Sequence, residues 1–211
     1  MRITGGSSPE EMVAAFLLAE IESDRWGEDF VLPLLKRNGW PESLVRTPNL
    51  ADRGANVQRA QLLAEYRGWE NNLLMCPEFP RDVDWRKAEL DPADVGQVLG
   101  ARFPTWDTLS GGSRRVADCV SVARHGPLPK LPHGELREGI AEAVARSYWL
   151  AHRYRSGDEL PPPILVTPRV HHPIVAIEGH TRLIAWSLAD RADPLTVILG
   201  ISDQLNGWCR F

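Results

Sequence analysis

The chain is short of the residues and patterns that mark covalent and redox chemistry. Its 211 residues hold three cysteines, Cys76, Cys119 and Cys209, unevenly spaced and without a CxxC. They therefore read as reduced thiols, not as a disulfide framework or a zinc site. No Gly-x-Ser-x-Gly elbow occurs and no cysteine has an obvious histidine partner, which excludes the common nucleophilic hydrolases. There is no basic excess: 24 Lys and Arg stand against 28 Asp and Glu, a net charge of −4 that argues against nucleic acid as a partner. The longest apolar runs, such as Leu195 to Ile201, fall far short of the roughly 20 residues of a membrane span. The first twenty residues carry one basic residue followed by Gly, Ser and acids, unlike a signal peptide, and a cytoplasmic protein is expected. No internal repeat or low-complexity tract is visible.

What is present suits a globular fold. The chain is long enough to bury a core unaided, and its eight Trp have nowhere to go in a disordered one. Ser8-Pro9-Glu10-Glu11 is a helix start, with Ser8 as cap and acids at the positive end of the dipole. Met12, Phe16, Ala19 and Ile21 follow at helical spacing. A second helical segment runs from Trp26 to Asn38, residues 42 to 55 read as a loop, and Asn56 to Trp69 is a third helix. Arg81 to Leu90 reads as a strand, Asp91-Pro92 opens a short helix, and residues 106 to 114 form a Gly-rich turn before a helix over Val116 to Ala123. Residues 126 to 134 are a Pro-rich loop, and Glu135 to Tyr154 is a long helix with Leu136, Ile140, Val144, Tyr148 and Leu150 on its inward side. After Pro161-Pro162-Pro163, three short strands are expected at Ile164–Thr167, Ile174–Ile177 and Leu195–Ile201, with a helix over Leu183–Ala189.

The order strand, Glu178-Gly179-His180-Thr181-Arg182, helix is the main chemical signal. A glycine at such a junction lets the backbone approach a ligand, and helix N-terminal amides favour an anion. His180 and Thr181 supply donors, and Arg182 a fork suited to phosphate oxygens. The bland alternative makes Thr181 a helix cap and Arg182 a surface charge. A second patch, Trp106 to Arg115, brings consecutive small residues before Ser113, Arg114 and Arg115. It reads as an anion-binding nest adding an arginine to the same site, or as a plain turn with Ser113 as cap. It lacks the Lys-Ser/Thr ending of a P-loop. His171-His172 reads as a turn, since neighbours in extended chain point apart. His125 and His133 lack ligand spacing. Asn56 and Arg59 share a helix face, while Arg67 reads as solvated. The tryptophans read as core or interface anchors.

Residues 161 to 201, PPPILVTPRVHHPIVAIEGHTRLIAWSLADRADPLTVILGI, resemble the ParB/sulfiredoxin-like family, whose Gly-x-x-Arg loop binds nucleotide phosphates. The matching positions are Gly179, His180, Thr181 and Arg182, and the stretch DVDWRKAELDPADVGQVLG resembles the family's opening strand and helix. The resemblance implies an α/β (α+β) fold: a small sheet with flanking helices over 77–211, elaborated at about 106–160, after a helical region at 1–76. Sulfiredoxins carry their redox Cys where this chain has His180, so that activity is not expected. No helix-turn-helix follows the loop before Phe211, so a partition role is not expected either. The loop is most similar to the Asp-Gly-His-His-Arg type of the family's small-molecule kinases, which implies ATP, ADP or CTP with Mg²⁺.

In that reading Glu178 holds Mg²⁺ or accepts a hydroxyl proton, and Glu89, at the end of the first family strand, is a second catalytic carboxylate. Both also have ordinary readings, as an ion-pair partner and as a solvated surface residue. The leading expectation is therefore a phosphotransferase or nucleotide hydrolase acting on a small-molecule or protein acceptor. The alternatives are a nucleotide-sensing or protein-interaction module without turnover and, less favoured by the charge, a nucleic-acid binder or nuclease.

Overall fold

A computed structural model of the chain describes residues 1–23, 26–69, 78–126, 128, 134–170 and 172–211. Cys76, His133, His171, most of the Pro-rich loop and the 76/77 boundary lie outside the described residues. The fold is a mixed α/β one. Six strands, β1 (Arg2–Gly6), β2 (Asp84–Leu90), β3 (Leu99–Gly100), β4 (Ile164–Thr167), β5 (Val175–Glu178) and β6 (Leu195–Ile201), form one mixed sheet in the order β1-β2-β6-β4-β5-β3. β4 runs parallel to β6 and β3 parallel to β5, while the other neighbours are antiparallel.

Helices cover both faces. On one side lie α1 (Pro9–Ile21), α2 (Leu32–Asn38, after a π turn at Gly27–Val31), α3 (Ser43–Arg46) and α4 (Arg53–Arg67). The other side has α5 (Pro92–Gln97), α6 (Pro104–Leu109), α7 (Val116–His125), α8 (Glu135–Arg155) and α9 (His180–Leu188). Alternation along the strands divides the core in two. Ile164, Val166, Val175 and Ile177 pack under the first helices with Met12, Phe16 and Leu63. Leu165 and Ala176 pack under the second with Ile140, Leu183 and Trp186. β4 is buried at all four positions, as a central strand covered on both faces must be.

The local signals explain most boundaries. Ser8 Oγ accepts from the Glu11 amide at 3.2 Å, and α1 begins at Pro9 as its sequence requires. α4 starts earlier than hydropathy suggests because Asp52 accepts from the Ala55 amide at 3.0 Å, and it ends at Gly68 in left-handed backbone. The supposed loop at 42–55 contains α3, and the first half of the supposed turn at 106–114 is α6. On α8 the buried side is Ile140, Ala143, Ser147, Leu150 and Tyr154, whereas Tyr148 is exposed.

β1 has no counterpart in the sequence reading. It pairs antiparallel with β2, Arg2 opposite Glu89, so the stretch preceding the first helices belongs to the sheet. Met1 and Arg2 are each tied across by an ion pair, to Asp94 and Glu89. Among the described residues no helix is long and apolar enough to cross a membrane.

Arg59 shows what holds the first helical layer. It is 1% exposed, and its guanidinium donates to the carbonyls of Leu44 at 3.0 Å and Asn49 at 3.1 Å and to Asn56 Oδ1. One side chain thus fastens the 44–49 segment to α4. A methionine keeps the volume and loses the charge-assisted bonds, each worth about 1.5–3 kcal/mol. Arg59→Met is expected to cost about 3 kcal/mol in urea unfolding, with no change in slope.

Candidate functional site

Beyond the C-terminal end of β5 the two helical layers stand apart and leave a cleft of about 380 Å³, within the range of small-ligand sites. Its floor is Pro161 and Ile177 to Arg182. One wall comes from the end of α1, Trp26 and Arg67, the other from the face of α8 between Gly139 and Arg153, and the start of α6 closes a third side. Brought together here are Glu178, Gly179, His180, Thr181 and Arg182. Glu89, Ser113 and Arg114 do not line this cleft.

Each floor residue has a definite place. Gly179 sits at φ 87°, where a side chain is strained, and an added Cβ would stand 2.9 Å from Pro163 Cα. It turns the chain from β5 straight into α9, whose first amides have no partner within the helix. Thr181, in that first turn, lines the cleft with Thr105.

Arg182 is 5% exposed, so it is neither a surface charge nor a free fork. Its guanidinium donates to the Glu178 carboxylate and to the Pro161 carbonyl. Burial, with the neighbouring charge of Arg146 pulling the same way, pushes its pKa down to about 10. It stays charged at neutral pH, held by the pair.

His180 is likewise committed. Its ring stacks on Trp106 with centroids 4.5 Å apart and planes 2° from parallel, and its Nε2 accepts from the Ala101 amide at 3.1 Å. The stack needs Gly100, since a Cβ there would lie 2.9 Å from Trp106 Cβ and 3.3 Å from His180 Cδ2. Burial holds His180 far below the usual imidazole value, so the ring is neutral at physiological pH. It helps shape the floor as a packed aromatic whose Nε2 is taken by the Ala101 amide, which leaves the other ring nitrogen as its N–H donor.

The remaining sequence-derived residues lie elsewhere. Glu89 pairs with Arg2 at 2.5 Å and stands in β2, three strands from Glu178 in β5, about 14 Å at the usual strand spacing. The two carboxylates also occupy opposite faces: Glu89 shares the face of Trp85, and Glu178 that of Ala176. The topology therefore does not join them. Ser113 bonds Asp118 at 2.5 Å and accepts from the Arg115 amide at 3.1 Å. Arg114 donates to the carbonyls of Gly100 at 3.1 Å and Phe211 at 3.3 Å, bracing the end of β3 and the C-terminal segment. Cys119 is buried with its thiol pushed up to about 12, an inert core residue; Cys209 is exposed.

The cleft walls carry residues to which the sequence assigned no functional role, and Arg67, expected to be solvated, is largely buried there because Glu20 and two aromatic rings cover it. Arg67 lies over the rings of Trp26 at 4.3 Å and Tyr66 at 4.1 Å and pairs with the buried Glu20 at 2.9 Å. Tyr66 donates to the same carboxylate. On α8, Trp149 is 49% exposed, with Arg153 5.2 Å and Arg146 5.8 Å from its ring centroid. Arg153 is paired with Asp158 at 2.7 Å, whereas Arg146 makes no ion pair or hydrogen bond among the described residues.

Gly139 lies inside α8 in helical backbone, where glycine costs about 1 kcal/mol against alanine. No described residue stands within 4 Å of where its Cβ would be. A signal for this wall was present. Gly139, Ala143, Arg146, Leu150 and Arg153 recur at steps of three and four, a second helical stripe beside the apolar one.

Comparison of the chain with family models, with curated proteins and with solved structures gives no match.

Two outcomes follow. Removing one partner of a buried pair costs about 3–5 kcal/mol, so Arg182→Ala is expected to lower the unfolding free energy by that amount in a denaturant titration. For His180 the unfolded ring takes up a proton near its ordinary value, while the folded ring resists it. Stability should therefore fall as pH drops below about 6.5 and go on falling toward 3. His180→Gln should flatten that part of the melting-temperature profile.

Proposed function

We propose that this chain is a nucleotide-binding protein of the ParB/sulfiredoxin-like kind, with the phosphates received at the start of α9. The observation that carries the reading is the cleft itself. It opens on the Gly179–Arg182 turn and has an arginine, Arg146, facing that turn without a carboxylate partner among the described residues. A phosphate there meets helix amides, the Thr181 hydroxyl and a guanidinium. Trp26, Trp106 and Trp149 give the same cleft aromatic surface for a flat ring.

Binding is favoured over turnover. Phosphoryl transfer needs a carboxylate to orient the acceptor, and usually a metal ion. Glu178 is spent on Arg182, and Glu89 is on the other face of the sheet. Among the described residues no group of three His, Cys, Asp or Glu is placed to hold a metal. The donor set does not fit a resident Mg²⁺, and no catalytic step is derived through one. The second reading, a phosphotransferase or nucleotide hydrolase, draws on Glu22 and Glu142, which line the cleft wall.

The test is calorimetric titration with ATP, ADP, CTP and GTP, with and without Mg²⁺, on wild type and Arg146→Ala. Losing one charge-assisted phosphate contact, about 1.5–3 kcal/mol, should weaken binding about 10- to 150-fold while leaving the melting temperature unchanged. Absence of binding by all four nucleotides would overturn the proposal. Release of phosphate or of a phosphorylated acceptor, abolished in Glu142→Gln, would favour the second reading.

A further inference from the structure

We infer that the cleft takes an elongated phosphate ester, a nucleoside phosphate in preference to a small inorganic anion, and that Gly139 sets the length it admits. The inference rests on the nucleotide reading above and concerns the end of the cleft away from the phosphates. The α8 wall runs from Gly139 to Arg153, fourteen residues, or about 20 Å at 1.5 Å per residue. Arg146 stands midway along it and lines the cleft together with Gly179 and Thr181, which sets the phosphate end against the middle of α8. Gly139 lies seven residues further toward the helix start, about 10 Å away. A lone phosphate or pyrophosphate at α9 leaves that arm empty; a nucleoside attached to the phosphates fills it.

Gly139 is the feature that marks the arm as a built one. Its backbone is helical, so no left-handed turn calls for glycine. No described residue presses on the position, so close packing does not call for it either. Alanine in its place would make the better helix. Among the described residues its effect is open space on a cleft wall, continued one turn on by Ala143. Glycine serves in this way where a backbone must come close to a ligand. A flat base laid against α8 there meets main chain instead of a side chain, within the cleft that Trp26 lines from the opposite layer.

The test uses the full chain as wild type, Gly139→Ala and Gly139→Leu. The probes are inorganic pyrophosphate and whichever of ATP, ADP, CTP and GTP binds wild type most tightly. Gly139→Leu should weaken the nucleotide at least tenfold and leave pyrophosphate within twofold. Gly139→Ala should weaken the nucleotide two- to threefold. Both variants should melt at or above the wild-type temperature, which a glycine needed for folding would not allow. Unchanged nucleotide affinity in Gly139→Leu, or equal loss of both probes, would overturn the inference while the phosphate end stands. Wild type that binds pyrophosphate but no nucleotide would do the same. Wild type that binds neither probe would sink the nucleotide reading, and this inference with it.

Discussion

A guanidinium cannot be left bare in a protein interior, and the geometry around Arg182 follows from that. Its charge is answered by Glu178 at the end of β5, and its second amino group is answered by the carbonyl of Pro161. Three pieces of chain distant in sequence or in direction meet at one side chain: the end of a central strand, the first turn of α9, and the stiff proline run leading into β4. The left-handed turn at Gly179 lets a strand residue and a helix residue four positions apart face each other across the reversal. Because the pair is buried, it fixes the direction in which the first amides of α9 point. The floor of the cleft is thus set by a contact buried beneath it.

The cleft exists because the two helical layers diverge where the sheet stops. Its chemistry is divided accordingly. The sheet side gives backbone donors and a neutral imidazole held flat on Trp106. The helical sides give guanidinium groups lying on indole rings, Arg67 on Trp26 and Arg153 near Trp149. Such stacked cations have their flat faces shielded by the rings while their edges stay available for hydrogen bonds.

Legibility in the sequence followed the range of the forces involved. α1 was readable because Ser8 and Pro9 act within one turn, and the last three strands because their apolar runs are short and bracketed by prolines, glycines and acids. β1 was not, because Arg2 to Gly6 is exposed at four of five positions and becomes a strand only by pairing with a partner more than eighty residues away. The Gly179 turn was found from its motif, and the ion-pair alternative for Glu178 matches its contact with Arg182, but the burial of Arg182 was not foreseen. Whether Arg182 meets a phosphate or a glutamate depends on burial, and burial comes from α8 and the proline run, not from the five residues themselves. Arg67 failed in the same way, passing for a solvated cation although its side chain is largely buried against Glu20. Arg146 and Gly139 were missed because a hydrophobic stripe draws the eye, while a stripe whose purpose is empty space has no hydropathy signal.

The pairing of β1 with β2 also decides how the molecule can be dissected. The first helical layer is attached to the sheet by the strand that precedes it as well as by its apolar underside. Removing residues 1–76 as if they were an appended module would strip β2 of its neighbour on one side and lay open the edge of that strand, with every second residue's amide and carbonyl unpaired. It would also uncover the apolar face formed by Ile164, Val166 and Ile198. A fragment with both defects is a template for edge-to-edge aggregation. The helical layer is a wall of the molecule, not a lodger in it, and the C-terminal portion has a bare edge and an uncovered face when expressed without it.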